Sequence, residues 1–219
     1  TIPAEAFQQS VEGAYYAKQF AKLYANRRIG ELPDNDHQRV YTFWDIGVGD
    51  STAIWFVRVV GNEFHVIDYY ENSGEGLRHY MKVLRERGYT YAEHWAPHDI
   101  DNREFANDGK SRRQLAREGY EIDGEKYSIS FSVVPKLGIS EGIELVREIL
   151  PRCAFDSSKC EEGISHLEAY RKEWDLKRGC WKDNPLHDFT SHGADSFRYF
   201  AVAMSRSKPA TDIDIGIGY

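Results

Sequence analysis

"FWDIGVGDST", residues 43–52, is the stretch on which the reading of this chain turns. An apolar run climbs from Val40 to Trp44 and meets Asp45. It then turns through Gly47, Gly49 and Asp50 and resumes at Ala53. A carboxylate inside a strand that otherwise reads as buried costs on the order of several kcal/mol unless something offsets it. A cation, a ring of donors or a phosphate-binding turn would each supply that offset.

Outward from Asp45, three strand-like runs follow one another at 39–46, 52–60 and 63–71. The last two are joined by Gly61-Asn62, a two-residue hairpin signal. Three consecutive antiparallel strands are expected. The period then changes: Leu77, Tyr80, Met81 and Leu84 mark a helix that Gly88 ends. A strand at 92–96, a charged helix near 109–118 and a strand at 130–134 follow. Helices are expected near 139–150, 158–174 and 191–205. This is an α/β pattern: a central mixed five-stranded sheet, its first three strands antiparallel, with helices on both faces.

Residues 4–27 place Phe7, Val11, Tyr15 and Leu23 at helical spacing, and "RRIGELPDNDHQ" after them reads as a linker. The expected organisation is a helical linker at 1–38, one folded domain at 39–206 and a loose tail at 207–219. With 41% hydrophobic and 14% aromatic residues the chain has material for one sizeable core. A net charge of -7 gives no global field that recruits nucleic acid, so any DNA contact must be local or cation-mediated. Cys153, Cys160 and Cys180 lack metal-site spacing and read as free thiols. No apolar run is long enough to span a bilayer, so no membrane partner is expected.

Three aspartates stand out by position. Asp45 lies in the first strand, Asp99 just past the fourth in "WAPHDIDN", and Asp195 in the first turns of the last helix in "TSHGADSFRY". Each has a plainer reading: Asp99 as a turn residue after Pro97, Asp195 as a helix-dipole partner behind Ser191. Asp45, flanked by Trp44 and Ile46, is harder to dismiss. If the three converge they cannot all stay ionised without a counter-charge, which two Mg²⁺ or Mn²⁺ ions would supply. Two such ions stabilise the attacking and leaving oxygens of a phosphodiester displacement.

"FWDIGVGDSTAIWF", "YAEHWAPHDIDNREF", "VVPKLGISEGIELVREIL" and "PLHDFTSHGADSFRYFA" together resemble the nuclease domain of the tailed-bacteriophage terminase large subunit, in the ribonuclease H-like superfamily. The likeness runs from about residue 10 to 205. It implies a metal-dependent endonuclease that cuts concatemeric viral DNA during genome packaging, with Asp45, Asp99 and Asp195 as catalytic metal ligands. It also implies double-stranded DNA, a portal and a small terminase subunit as partners, and action in the host cytoplasm rather than in the mature virion. In the complete family protein an ATPase motor precedes the nuclease. No G-x-x-x-x-G-K-[ST] occurs here, so that motor is expected to be missing and 1–38 to be what remains of the connection.

Further residues are candidates beside plainer roles. Asp50 reaches the site as an extra ligand or is an ordinary turn residue. His98 and His192 orient water or phosphate, or only support the aspartates. Lys136 contacts a phosphate or is a surface lysine. Arg171, Lys172, Lys177, Arg178 and Lys182, against Glu173 and Asp175, give a local charge of +3 interleaved with Trp174 and Trp181. That segment tracks a DNA backbone or is a solvated helix end. His187, His192 and Asp195 have no spacing with the cysteines that supports structural zinc. The main rivals are an actin-like or sugar-kinase phosphate loop, which "DIGVGDST" resembles but for which no second loop is found, and a non-catalytic docking module of the same fold.

Overall fold

The computed structural model describes residues 12–33, 37–47, 51–104 and 108–206. Asp50, the expected helix over residues 4–11 and the tail lie outside them. The first three large strands are β2 (Val40–Ile46), β3 (Ser51–Val60) and β4 (Glu63–Ser73), consecutive and antiparallel. Gly61, at φ 59°, takes the left-handed conformation that the tight turn between β3 and β4 requires.

The sheet is larger than expected. It has seven strands in the order β1-β9-β4-β3-β2-β5-β8, where β1 is Ile29–Gly30, β5 Tyr91–Ala96, β8 Phe131–Val133 and β9 Cys153–Asp156. The antiparallel trio sits at the centre, with a parallel pair of strands on each side. The two unexpected strands extend the β4 edge. Part of the expected linker is therefore an edge strand: Ile29 and Gly30 pair with Phe155 and Asp156.

Helices cover both faces. On one lie α2 (Leu77–Arg87) and α3 (Arg112–Glu118), packed over Val40, Trp44, Ile54 and Phe56 through Tyr80, Met81 and Leu84. The short hairpin β6 (Tyr120–Ile122) and β7 (Glu125–Tyr127) closes that side, with Arg85 donating to the Ile122 carbonyl. On the other face lie α1 (Ala17–Ala25), α4 (Ile139–Ile149), α5 (Glu161–Ala169) and α6 (Ser191–Arg206). These meet Phe43, Ala53, Trp55, Val57 and Val66 through Phe20, Ile143, Val146, Leu167, Phe197 and Phe200. Phe43 and Asp45 are two residues apart on one strand, so Asp45 faces α6.

Two expected helices depart from their expected extent. The first is interrupted at residues 13–16, where Tyr15 donates its amide to the Tyr170 carbonyl, and α1 then runs Ala17–Ala25. The one expected at 158–174 stops at Ala169, and β10 (Lys172–Asp175) and β11 (Cys180–Pro185) form a separate antiparallel hairpin. Trp174 opposes Trp181 there, rings 4.8 Å apart and edge-on, an aromatic cross-strand pair that favours a ribbon. All three cysteines are free. Among the described residues no helix is long and apolar enough to cross a membrane.

Beneath the central strands, buried His94 on β5 meets Thr42 on β2, Nδ1 to Oγ1 2.7 Å, while Trp44 Nε1 donates to the same oxygen. Thr42 accepts from Trp44 and so keeps its own proton to give His94, which suits a neutral imidazole. Burial pushes the His94 pKa down to about 4. The unfolded chain takes up that proton near pH 6.5 and the folded one only near 4. The contribution is therefore complete above pH 6.5 and lost as pH falls towards 4. It amounts to about 3 kcal/mol across that window. Urea titrations between pH 4 and 7 check this: replacing His94 with Leu should make the variant gain stability on its parent as pH falls towards 4, and parallel profiles would refute it.

Candidate active site

Three acidic side chains from separate elements lie within electrostatic range of one another near the carboxyl-terminal ends of β2 and β5. Asp45 is the penultimate residue of β2, opposite Ala53 of β3. β2 and β5 run parallel, with Phe43 beside Trp95, so the segment after β5 emerges next to Asp45. That segment is Pro97 and a 3₁₀ turn, His98–Asp101, which carries Asp99 exposed in its first positions. Helix α6 lies across β2, β3 and β5 and brings Asp195 from its second turn.

Electrostatics tie the three together. Asp45 has 17% of its side chain exposed. Desolvation pushes its pKa up to about 6; the His192 hydrogen bond opposes that shift, and the charges of Asp195 and Asp99 add to it. His192 Nδ1 lies 3.0 Å from Asp45 Oδ2. Asp195 Oδ1 is 2.9 Å from Nη2 of Arg198, one turn later on the same helix. Two of the three carboxylates thus already hold a nitrogen partner from α6. Among the described residues no three His, Cys, Asp or Glu side chains are drawn close enough to hold a metal ion as they stand. The chemistry of the set still fits a hard divalent cation: three carboxylates share one neighbourhood, and burial and mutual repulsion disfavour the ionised form of the central one.

The auxiliary candidates divide. His98 and Lys136 line one cavity of about 110 Å³ with Pro97, Arg198 and Tyr199. That cavity presents cationic or proton-bearing groups beside the carboxylates. Arg171 is 3.2 Å from Asp188 and donates to the Ala169 carbonyl, so it braces the loop before α6. Lys172 opens β10, and Lys177 and Arg178 lie between β10 and β11 at the far end of the hairpin. His187 approaches His192, rings 6.1 Å apart.

Several residues escaped the sequence reading. Arg198 is 8% exposed, and its stem runs over Gly142 of α4, where a Cβ would stand 2.6 Å from its Cδ. Nothing in the sequence marks that pairing except the i,i+3 spacing from Asp195. Glu71 of β4 shares a register line with Ala53 and Asp45, so it points to the same face. It accepts from the Tyr69 hydroxyl and lies 3.2 Å from His166 Nδ1. Burial raises its pKa, but the His166 and Tyr69 hydrogen bonds outweigh this and hold it below the ordinary value. Its signal was only the strand alternation in "YYENS".

No protein-family model matches this sequence, and no curated protein matches it at the level of sequence. The fold does match: it is the ribonuclease H-like fold of phage large-terminase nuclease domains. The nuclease domain of the large terminase of bacteriophage SPP1, with bound Mn, aligns at TM-score 0.52 and 18% identity, over 78% of this chain and 92% of that one. The large-terminase nuclease of thermophilic phage G20c, with bound magnesium, aligns at 0.53 and 11% identity, over 90% and 98%. A longer large terminase from a thermophilic bacteriophage aligns at 0.62 and 17% identity, over 86% of this chain but 45% of its own length. This chain therefore spans less than half of that protein, and at these identities the shared property is the fold.

The strain at Asp45 has a measurable sign. Its folded pKa lies above the unfolded 3.8, so its contribution is complete below pH 3.8 and lost as pH rises through about 6. Near pH 7.5, without metal, the ionised group costs about 3 kcal/mol. Asp45→Asn should raise the melting temperature in EDTA at that pH and lose most of the further rise that Mn²⁺ gives the parent. A variant that melts below its parent in EDTA would show that His192 and neighbouring donors satisfy the carboxylate.

Proposed function

We propose that the chain is a divalent-metal-dependent DNA endonuclease domain that cuts concatemeric viral DNA during genome packaging. The observation that carries the reading is the placement of a largely buried Asp45 at the end of β2, where desolvation raises its pKa and the nearby charges of Asp195 and Asp99 add to the rise. Support comes from the shared fold with nuclease domains solved with bound Mn and magnesium.

On this reading Asp45, Asp99 and Asp195 hold two Mg²⁺ or Mn²⁺ ions, with Asp50 as a further ligand. When bound, the ions supply an activated water and charge stabilisation for in-line phosphodiester cleavage. The chain's own groups then have separable tasks. His192 holds Asp45 at one oxygen, fixes its rotamer and can carry a proton at Nδ1. Lys136 and His98, with Arg198 in the same cavity, take a backbone phosphate next to the scissile one. Lys172, Lys177 and Arg178 bring local positive charge to an otherwise acidic protein and track the duplex. Arg171 serves them by tying the base of the hairpin to Asp188.

The wider assignment belongs to the same proposal. Residues 39–206, with α1 and β1 packed onto them, form the nuclease, and the segment before α1 leads to an ATPase motor of the same polypeptide. Portal and small terminase subunit complete the machine in the host cytoplasm. The longer structural neighbour supports the motor connection, since that large terminase has been solved in complex with ADP.

Nicking of supercoiled plasmid provides the test. Mn²⁺ should support at least as much cleavage as Mg²⁺, Ca²⁺ little, and EDTA none. Replacing Asp45 or Asp195 with Asn should lower the rate by at least about a hundredfold. Cleavage should show little sequence preference and fall as salt rises. Full activity in EDTA, or in both variants, would remove the metal mechanism.

A further inference from the structure

Phe189, in the loop that leads into α6, leaves 66% of its surface in water. One exposed aromatic ring carries no meaning by itself. What distinguishes Phe189 is how firmly it is held out. Asp188 beside it accepts from the Thr190 amide at 3.0 Å and the Thr190 hydroxyl at 2.6 Å. The Asp188 amide donates to Ser191 Oγ, the Ser191 amide returns to the Asp188 carbonyl, and Arg171 pairs with the Asp188 carboxylate. The ring itself rests edge-on against His166, centroids 5.5 Å apart, and His166 is anchored on Glu71. The turn therefore fixes the ring before any ligand arrives, and little entropy remains to be lost on binding.

Its place is equally specific. Asp45, Ala53 and Glu71 are register partners on three adjacent strands, which sets Glu71 about 10 Å from Asp45 on the same face. His166 and Phe189 stand on that far side, opposite the cavity of His98 and Lys136. One imidazole, His166, packs against the ring, His192 on Asp45 lies three residues further along the same segment, and the basic hairpin starts from the same braced loop. An exposed π-face near the basic hairpin, on the side of Asp45 away from the His98 and Lys136 cavity, fits a nucleobase better than an apolar protein side chain. We propose that Phe189 is a stacking platform for a nucleobase of the strand cut at Asp45, one that leaves the duplex stack near the scissile bond. The proposal rests on the nuclease reading above and extends it.

The probe is a duplex oligonucleotide with 2-aminopurine placed along one strand, bound to the domain at low salt in EDTA so that no cleavage intervenes. The parent should change 2-aminopurine fluorescence at one or two positions. Phe189→Ala should abolish that change, weaken binding about tenfold and raise KM more than it lowers kcat in Mn²⁺. Phe189→Trp should retain both properties, because it keeps a π-face, whereas Phe189→Leu should behave as the Ala variant does. Equal melting temperatures for all variants, expected for a ring this exposed, exclude a folding effect. Unchanged binding and fluorescence in Phe189→Ala overturn the stacking role while parental nicking leaves the nuclease reading intact. A parent that neither binds nor nicks DNA overturns both.

Discussion

The constraint on which this structure depends is the charge at Asp45. A strand flanked on both sides by paired strands offers little water to a carboxylate, yet the end of β2 places a largely buried one within electrostatic range of two others. Packing cannot remove that conflict. The protein meets it in part with nitrogen partners drawn from a single helix, His192 for Asp45 and Arg198 for Asp195. The remainder stands as a raised pKa. Carboxylates kept near one another against their own repulsion are strained in a way that a bound cation would relieve, as the proposed function requires.

The rest of the fold holds α6 in place against that repulsion. Trp55 donates its indole N–H to the Gly193 carbonyl at 2.8 Å, joining the middle of β3 to the first turn of the helix. A side chain at Gly193 would meet the Tyr69 hydroxyl at 2.7 Å, and one at Gly163 would collide with the Trp55 and Tyr69 rings. Both glycines are there because helices α5 and α6 approach the sheet too closely for a Cβ. Phe197 and Phe200 then lock the helix to Phe43, Phe64 and Phe155. Asp195 is positioned by this aromatic core, not by any contact with its fellow carboxylates.

How far the sequence disclosed this follows from the range of the forces involved. The antiparallel trio, the helix over Leu77–Arg87 and the final helix rest on local periodicity and turn residues, and they were legible to within a few residues. So was the order of the three aspartates. The strands at Ile29–Gly30 and Cys153–Asp156 were not, because two and four residues carry no period. They exist only by parallel pairing with each other and, for Cys153–Asp156, with β4, between segments far apart in the chain. The hairpin at 172–185 misled for the opposite reason. "RKEWDLKRG" has helix-forming composition, but Trp174 against Trp181 and the left-handed Gly179, at φ 62°, decide for a ribbon. At the site, Asp45 announced itself by contrast with its apolar flanks. Arg198 and Glu71 did not, since each acquires its meaning from a partner on another turn or strand.

The sheet carries two titrations that oppose each other. His94 beneath β2 and Asp45 at its end both change charge between about pH 4 and pH 6. Falling pH destabilises the fold through the histidine, which resists taking a proton in its buried site, and stabilises it through the aspartate, which gains by taking one. Their magnitudes are similar, so a flat acid profile in the parent is the sum of two strained groups rather than a sign of none. Only the aspartate's strain is relieved by a cation. At neutral pH His94 is neutral and contributes no slope, and the metal-free protein bears the full cost of ionised Asp45. A divalent ion offsets that cost by mass action as its concentration passes its dissociation constant. On the proposed nuclease reading, metal and folding are coupled through one side chain, and the most sensitive measure of site occupancy is the stability of the domain itself near pH 7.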